Sequence, residues 1–281
     1  MTNSPAAESP DVAAVITQLQ QELADGKIEL PLLPNVAAEV LSSSLDDQSD
    51  AARLAELIQQ DQGLATHVIR IVNSPAFRGA IEIVALQQAI ARLGMERIRE
   101  IALSASLKGS LFKKGAYQQI TDESWQLALA AGLWSKEAAR ASRRNVEIAY
   151  LCGLLHNIGT PMLLNRLGEL VPSMPRRDVD VLLETLTPEA GARLAREWKL
   201  PGAVLASIEY LHRFAEAGDD QDVVAVTECG VALAQWMCKK GLLVSEVMQL
   251  PATQHLNLYP EDVELLLDKQ EQIKISMESM G

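Results

Sequence analysis

The sequence predicts an all-α protein. Apolar residues recur every three to four positions through most of the chain, as in Leu64, Val68, Ile71 and Val72, the spacing that lines one face of a helix. No segment alternates apolar and polar residues for long enough to make a strand. Hydrophobic residues make up 48% of the 281 positions but aromatics only 4%, so the core must be built of Leu, Ile, Val and Ala, and such a composition favours helix.

Residues 1–10, MTNSPAAESP, are small and polar and read as a disordered tail. Asp11 is placed to cap a helix reaching about Ala24, and Asp25-Gly26 ends it. In LPLLPNVAAEVL, residues 30–41, Pro31 and Pro34 impose an extended entry and helix resumes after Pro34. Asp50 caps AARLAELIQQ, with Leu54, Leu57 and Ile58 on one face. Asp61 starts the next helix, which Asn73-Ser74-Pro75 stops. Residues 85–111 hold two helices divided at Gly94, and the polar run 113–124 reads as a hinge between two lobes. Thr121 or Asp122 then caps a long helix, and a second helix is expected from about Glu147 to Asn157. Thr187 reads as the N-cap of a third, with Pro188 in its first helical position. Helices over Asp222–Lys240 and Pro260–Met277 follow, the last with Val263, Leu266, Leu267 and Ile273 on one side.

Charge and cysteine content narrow the function classes. A net charge of −12 repels phosphate backbones and anionic lipids, which disfavours nucleic acid and membrane surfaces and leaves proteins as the better-matched partners. Cys152, Cys229 and Cys238 form no CxxC pair, which suits free thiols in a reducing compartment. The first residues lack the basic and apolar regions of a secretory signal, and the longest apolar candidate, Val223–Met237, is interrupted by Glu228 and falls short of the ~18 residues a membrane span needs. The expected location is the cytoplasm.

Five motifs in order carry a family resemblance: LPLLP at 30–34, IQQDQGLATHVIRIVNSPAF at 58–77, QQAIARLGMERIREIAL at 87–103, GLLHNIG at 153–159, and the pair GARLAREWKLP and SIEYLH within 191–212. Together they resemble the HDOD family, the HD-related output domains of bacterial signalling proteins. The resemblance implies an N-terminal helical lobe (28–118) packed on an HD-like helical bundle (119–235). It leaves residues 1–27 as a tail and helix and 236–281 as a C-terminal helical extension. It also implies a regulatory role.

The parent HD scaffold holds divalent metals with a His-Asp pair and further His and Asp residues, and the metal activates water against phosphate. Measured against that pattern, the pair in this chain is His156-Asn157, which keeps one carbonyl oxygen but loses the negative charge. Leu127 stands where the first His is implied, Leu211-His212 keeps one imidazole of two, and Thr187 replaces another. Glu228 is the candidate for the final acid. The remnant pocket is therefore His156, Asn157, His212 and Glu228. The reading this favours is a buried polar relic with no catalytic residue, no bound metal and no cofactor, because first-shell charge is the costly part of a metal site.

Asn73, Ser74 and Pro75 form a second candidate, an interaction motif whose simpler explanation is a helix stop with Asn as C-cap. His67 is expected to be half-buried, and His255 receives no role. Basic groups such as Lys113 and Lys114 gather near helix C-termini, where the dipole favours cations. Cys152 and His156 share a helix face but have no activating acid.

The function expected is a non-enzymatic module that binds another signalling protein. Two alternatives stand beside it. One is a metal-dependent phosphohydrolase or cyclic-nucleotide phosphodiesterase with a non-standard site. The other is a sensor that holds a small nucleotide without turnover.

Overall fold

Residues 11–43, 51–77, 79–238 and 243–280 are described in the computed structural model. The N-terminal tail, the Asp50 cap and Lys240 lie outside them. Every regular element among the described residues is helical, with no strand. The first six helices are α1 (Val12–Ala24), α2 (Asn35–Ser43), α3 (Ala51–Gln60), α4 (Gln62–Val72), α5 (Leu86–Leu93) and α6 (Met95–Leu111). Then come α7 (Gln118–Ala141), α8 (Val146–Leu155), α9 (Gly159–Leu170), α10 (Arg176–Glu197), α11 (Gly202–Glu209) and α12 (Gln221–Met237). The last four are α13 (Val244–Gln249), α14 (Pro251–His255), α15 (Pro260–Leu267) and α16 (Gln270–Met280).

Local signals set the first helices. The Asp11 carboxylate accepts the Ala13 N–H at 3.0 Å and starts α1, and Asp61 accepts from Leu64 N at 2.9 Å to start α4. Each satisfies an amide that the first turn leaves without an intrahelical partner. The stripe Val15, Leu19 and Leu23 of α1 is buried, but not against the neighbouring N-terminal helices. It packs with Leu163 and Leu167 of α9 and with Val179 and Leu182 of α10 in a core of its own. Arg166 of α9 grips Glu22 of α1 with two hydrogen bonds, at 2.7 and 2.9 Å, and this pairing holds the Glu22 carboxyl down at about 2. Helix α1 is thus seated on the second lobe.

The expected hinge is shorter than 113–124. Helix α7 already begins at Gln118, with no side-chain cap, so residues 118–124 are helical and neither Thr121 nor Asp122 is the cap. Thr121 and Ser124 face inward while Gln119 and Asp122 face solvent. The short link is closed by Phe112 against Trp125, ring centroids 5.0 Å apart in an edge-on stack, a favoured aromatic geometry. The main core runs across this junction, from Ile101 and Leu107 of α6 to Trp125 and Leu129 of α7. Within it Lys136 of α7 pairs with Glu100 of α6, both buried, and Arg97 adds a second contact to Glu100 at 2.8 Å. The Trp198 indole N–H donates to Pro31 O at 2.9 Å and ties the 28–34 crossing to the second lobe.

Helices α7, α8 and α12 form the centre of the second lobe. A Cβ at Gly153 would lie 2.5 Å from Ala131 O, and one at Gly230 would lie 2.6 Å from Ser135 Cα. Both approaches are open to glycine alone, so α8 and α12 press directly on the α7 backbone. One expectation fails in α10. Thr187 and Pro188 do not start a helix; α10 runs unbroken from Arg176 to Glu197 with Pro188 inside it. Pro188 and Glu184, whose carbonyl loses its donor, both lie on the exposed side, where water can serve that carbonyl. The buried row Val179, Leu182, Leu186 and Ala190 holds the helix together across the proline.

Candidate functional site

The turn between α8 and α9 carries His156 and Asn157. Helix α8 ends at Leu155 with His156 in the C-cap position, and α9 begins at Gly159. A Cβ on Gly159 would sit 2.5 Å from Thr187 O and 2.6 Å from Gly191 N, so this turn is pressed onto α10. Both residues of the pair are more than nine-tenths buried, at 7% and 8% exposure.

His156 Nδ1 lies 2.7 Å from Gly153 O. A carbonyl only accepts, so Nδ1 carries the proton and Nε2 keeps its lone pair. Burial draws the imidazole pKa down to about 4; the Gly153 bond opposes this and nearby His212 adds to the fall. His156 is therefore neutral at pH 7. The Asn157 amide donates from Nδ2 to Ser124 O at 3.2 Å and to Ser124 Oγ at 3.1 Å. Because the Ser124 carbonyl must be faced by a donor, the amide orientation is set. Asn157 Oδ1 then points into the interior with no hydrogen-bond partner among the described residues. Close by, Thr160 Oγ1 and Thr187 Oγ1 are 3.2 Å apart.

The other expected pocket residues are placed less closely. His212 follows α11 in a left-handed conformation, φ 64°. It is exposed at the residue level, partial burial of its ring lowers its pKa, and it lies near enough to disfavour charge on His156. Glu228 is buried on α12 and burial raises its pKa. Helix α12 runs antiparallel to α7, with Asp222 on Arg144 at 3.1 Å and Gly230 on Ser135, whereas Asn157 bonds Ser124. Gly153, whose carbonyl accepts from His156, presses on the same Ser135. Among the described residues no three His, Cys, Asp or Glu side chains come together to hold a metal. The divalent metal of the parent scaffold therefore does not fit this donor set: the side chain that would carry its carboxylate is an amide turned toward a backbone carbonyl.

Asn73 is the C-cap of α4. Its Nδ2 donates to Ile69 O at 3.1 Å and to Ile83 O at 2.7 Å, and its Oδ1 accepts from Ile83 N at 2.8 Å. One side chain thus pins the returning loop to the end of the helix. Ser74 Oγ is buried without a partner among the described residues, Pro75 is exposed, and the Arg97 guanidinium sits 5.5 Å from the centre of the Phe77 ring. His255 closes α14 and bonds Asp222 at 2.8 Å. Sequence reasoning missed Ser124 and Thr160, which line the pair's surroundings; a lone hydroxyl in a helix carries no signal of what it will face.

A family model for the HDOD domain matches residues 30–214. This chain belongs to the HDOD family. An uncharacterized protein of Treponema pallidum is 26% identical over an alignment of 226 residues that covers 75% of this chain and 43% of that protein, so the chain spans less than half of that relative's length. Two solved structures share the fold. A Shewanella amazonensis protein, provisionally named a metal-dependent phosphohydrolase, superposes with a TM-score of 0.72 at 21% identity, covering 95% of this chain and 99% of its own. A Marinobacter aquaeolei protein, provisionally named a signal transduction protein, gives 0.68 at 20% identity over 98% of this chain and 67% of its own. The HDOD match and these neighbours agree with the helical architecture, and no helix among the described residues is long and apolar enough to cross a membrane.

Proposed function

We propose that this HDOD protein is a non-enzymatic signal-transduction module that works by binding another signalling protein in the cytoplasm, on a scaffold whose HD metal site has degenerated. The observation that carries the reading is the Asn157 amide, which donates to Ser124 O at 3.2 Å. An aspartate in that place would set a carboxylate against a carbonyl, so the local structure asks for a donor where metal chemistry needs an anion. Leu127 and Leu211 supply no ligand at the other implied positions. The name of the Marinobacter relative favours signalling.

The phosphohydrolase alternative draws on the name of the Shewanella relative and on one feature here, a neutral His156 whose Nε2 is a competent ligand. Two measurements separate the readings. Metal content after dialysis against chelator is expected to be well below one Mn, Fe or Zn per chain, and turnover of bis(p-nitrophenyl) phosphate with added Mn is expected at background. Stoichiometric metal or saturable turnover would overturn the proposal. The positive half is tested by affinity capture from the native host, where a signalling protein should co-purify and rebind as pure protein.

A further inference from the structure

A second site lies on the N-terminal lobe and does not depend on the remnant pocket. The first turn of α4 faces the last turns of α6 across a groove of about 780 Å³, a size suited to a small ligand. Three lysines reach it: Lys108 from α6, and Lys113 and Lys114 from the link that follows. The chain as a whole carries −12, yet the one carboxylate lining this groove is Asp61, which is engaged in capping Leu64 N. Lys113 and Lys114 are exposed and have no carboxylate partner among the described residues. Of the three, Lys108 acts on His67 in the groove wall, whose pKa is lowered by burial and also by Arg70 and Lys108. A helix C-terminus attracts cations, but the adjacent exposed Lys113 and Lys114, beside one engaged carboxylate, repel one another, and a bound anion relieves that repulsion.

The remaining lining states what kind of anion. Pro34, Leu64 and Phe112 give an apolar wall. Gly63, Ala105 and Gly109 keep the floor low, and at Gly109 even an added Cβ would meet nothing within 4 Å. Phe112 stacks on Trp125 and is thereby held in place as one wall. A ligand with a flat apolar body and a compact multiply charged end matches both halves, and lysine suits phosphate as a point charge. We propose that this groove binds a nucleoside phosphate, with its phosphates on Lys108, Lys113 and Lys114 and its base against Phe112 and Leu64.

The test is titration of mant-ATP and mant-GTP with the full chain at low salt. Saturable binding is expected for at least one of them. Unlabelled nucleotide should displace it at least tenfold better than pyrophosphate or polyglutamate does. The exposed double reversal K113E/K114E should weaken binding at least tenfold, and K113A alone about threefold. R177E/K199E, an equal change of charge at exposed positions outside the groove, should leave binding unchanged. Absence of saturable binding to either nucleotide would overturn the proposal, as would equal loss in the control pair. Competition by pyrophosphate or polyglutamate as strong as that of the nucleotide would do the same, since it would mean that the base makes no contact and the surface takes acidic chains or any anion.

Discussion

Two asparagines close two helices of this protein, and they are used in opposite ways. Asn73, at the end of α4, spends Nδ2 twice and Oδ1 once on backbone groups of Ile69 and Ile83. Asn157, just beyond α8, spends its Nδ2 on Ser124 and leaves Oδ1 buried with no partner among the described residues. The first is a fully matched staple, and its chemistry is complete within the chain. The second keeps an unused acceptor in the interior. A family motif at a helix end can therefore be explained by folding alone in one lobe and not in the other.

The largest expected effect lies at the staple. Asn73→Ala leaves the Ile83 N–H and C=O to find other partners, while Ile69 O keeps the backbone N–H of residue 73, and urea denaturation should show a loss of about 3 kcal/mol. A loss below about 1 kcal/mol would remove the contrast with Asn157.

Acid should act through the other turn. The folded pKa of His156 is lowered to about 4 from 6.5, so the unfolded chain takes up the proton first. Its contribution is fully present above pH 6.5 and is lost as the pH falls toward 4, reaching about 3 kcal/mol there. Glu228, with its pKa raised by burial, acts in the opposite direction. The measurement is therefore the difference between the protein and His156→Gln in urea titrations at pH 7 and pH 4. Equal acid sensitivity of the two would remove His156 from the account.

Asn157→Asp comes next. It replaces the donor facing Ser124 O with a carboxylate and should cost about 2 kcal/mol at pH 7. The cost should shrink on acidification, because a protonated carboxyl can donate to the same carbonyl. Added Mn should not restore stability, since no second acidic ligand is at hand; a rise in Tm with metal would show that the site is closer to a working HD centre than Asn157 suggests. The smallest effect is expected for Asn157→Leu, about 1 kcal/mol, because the loss of the bond to the Ser124 hydroxyl is partly offset by removal of an unmatched acceptor. A cost as large as that at Asn73 would mean that Oδ1 has a structural partner after all.

Much of the fold was legible in the chain. Asp11 and Asp61 announced α1 and α4, the stripe Leu64, Val68, Ile71 and Val72 was read correctly as buried, and Asn73-Ser74-Pro75 marked a true stop. The misreadings share one cause. Residues 118–124 are polar and looked like a hinge, but they are the solvent-facing start of α7, with small hydroxyls at the inward positions. Pro188 looked like a first helical residue, but packing of Leu186 and Ala190 carries α10 through it. In both places a local rule was overridden by contacts from far along the chain.

The sequence by itself determined the helical class, the Asp11 and Asp61 caps and the family, because these depend on residues within a few positions of one another or on motifs in order. It also determined that His156 is followed by an amide and not by a carboxylate. Only the tertiary structure decided that α1 belongs with α9 and α10, that Asn157 bonds Ser124 across to α7, and that the lysines around 108–114 face the start of α4. Those outcomes depend on which buried faces fit together across long stretches of chain, and the hydrophobic effect that drives them has no direction that a local pattern can record.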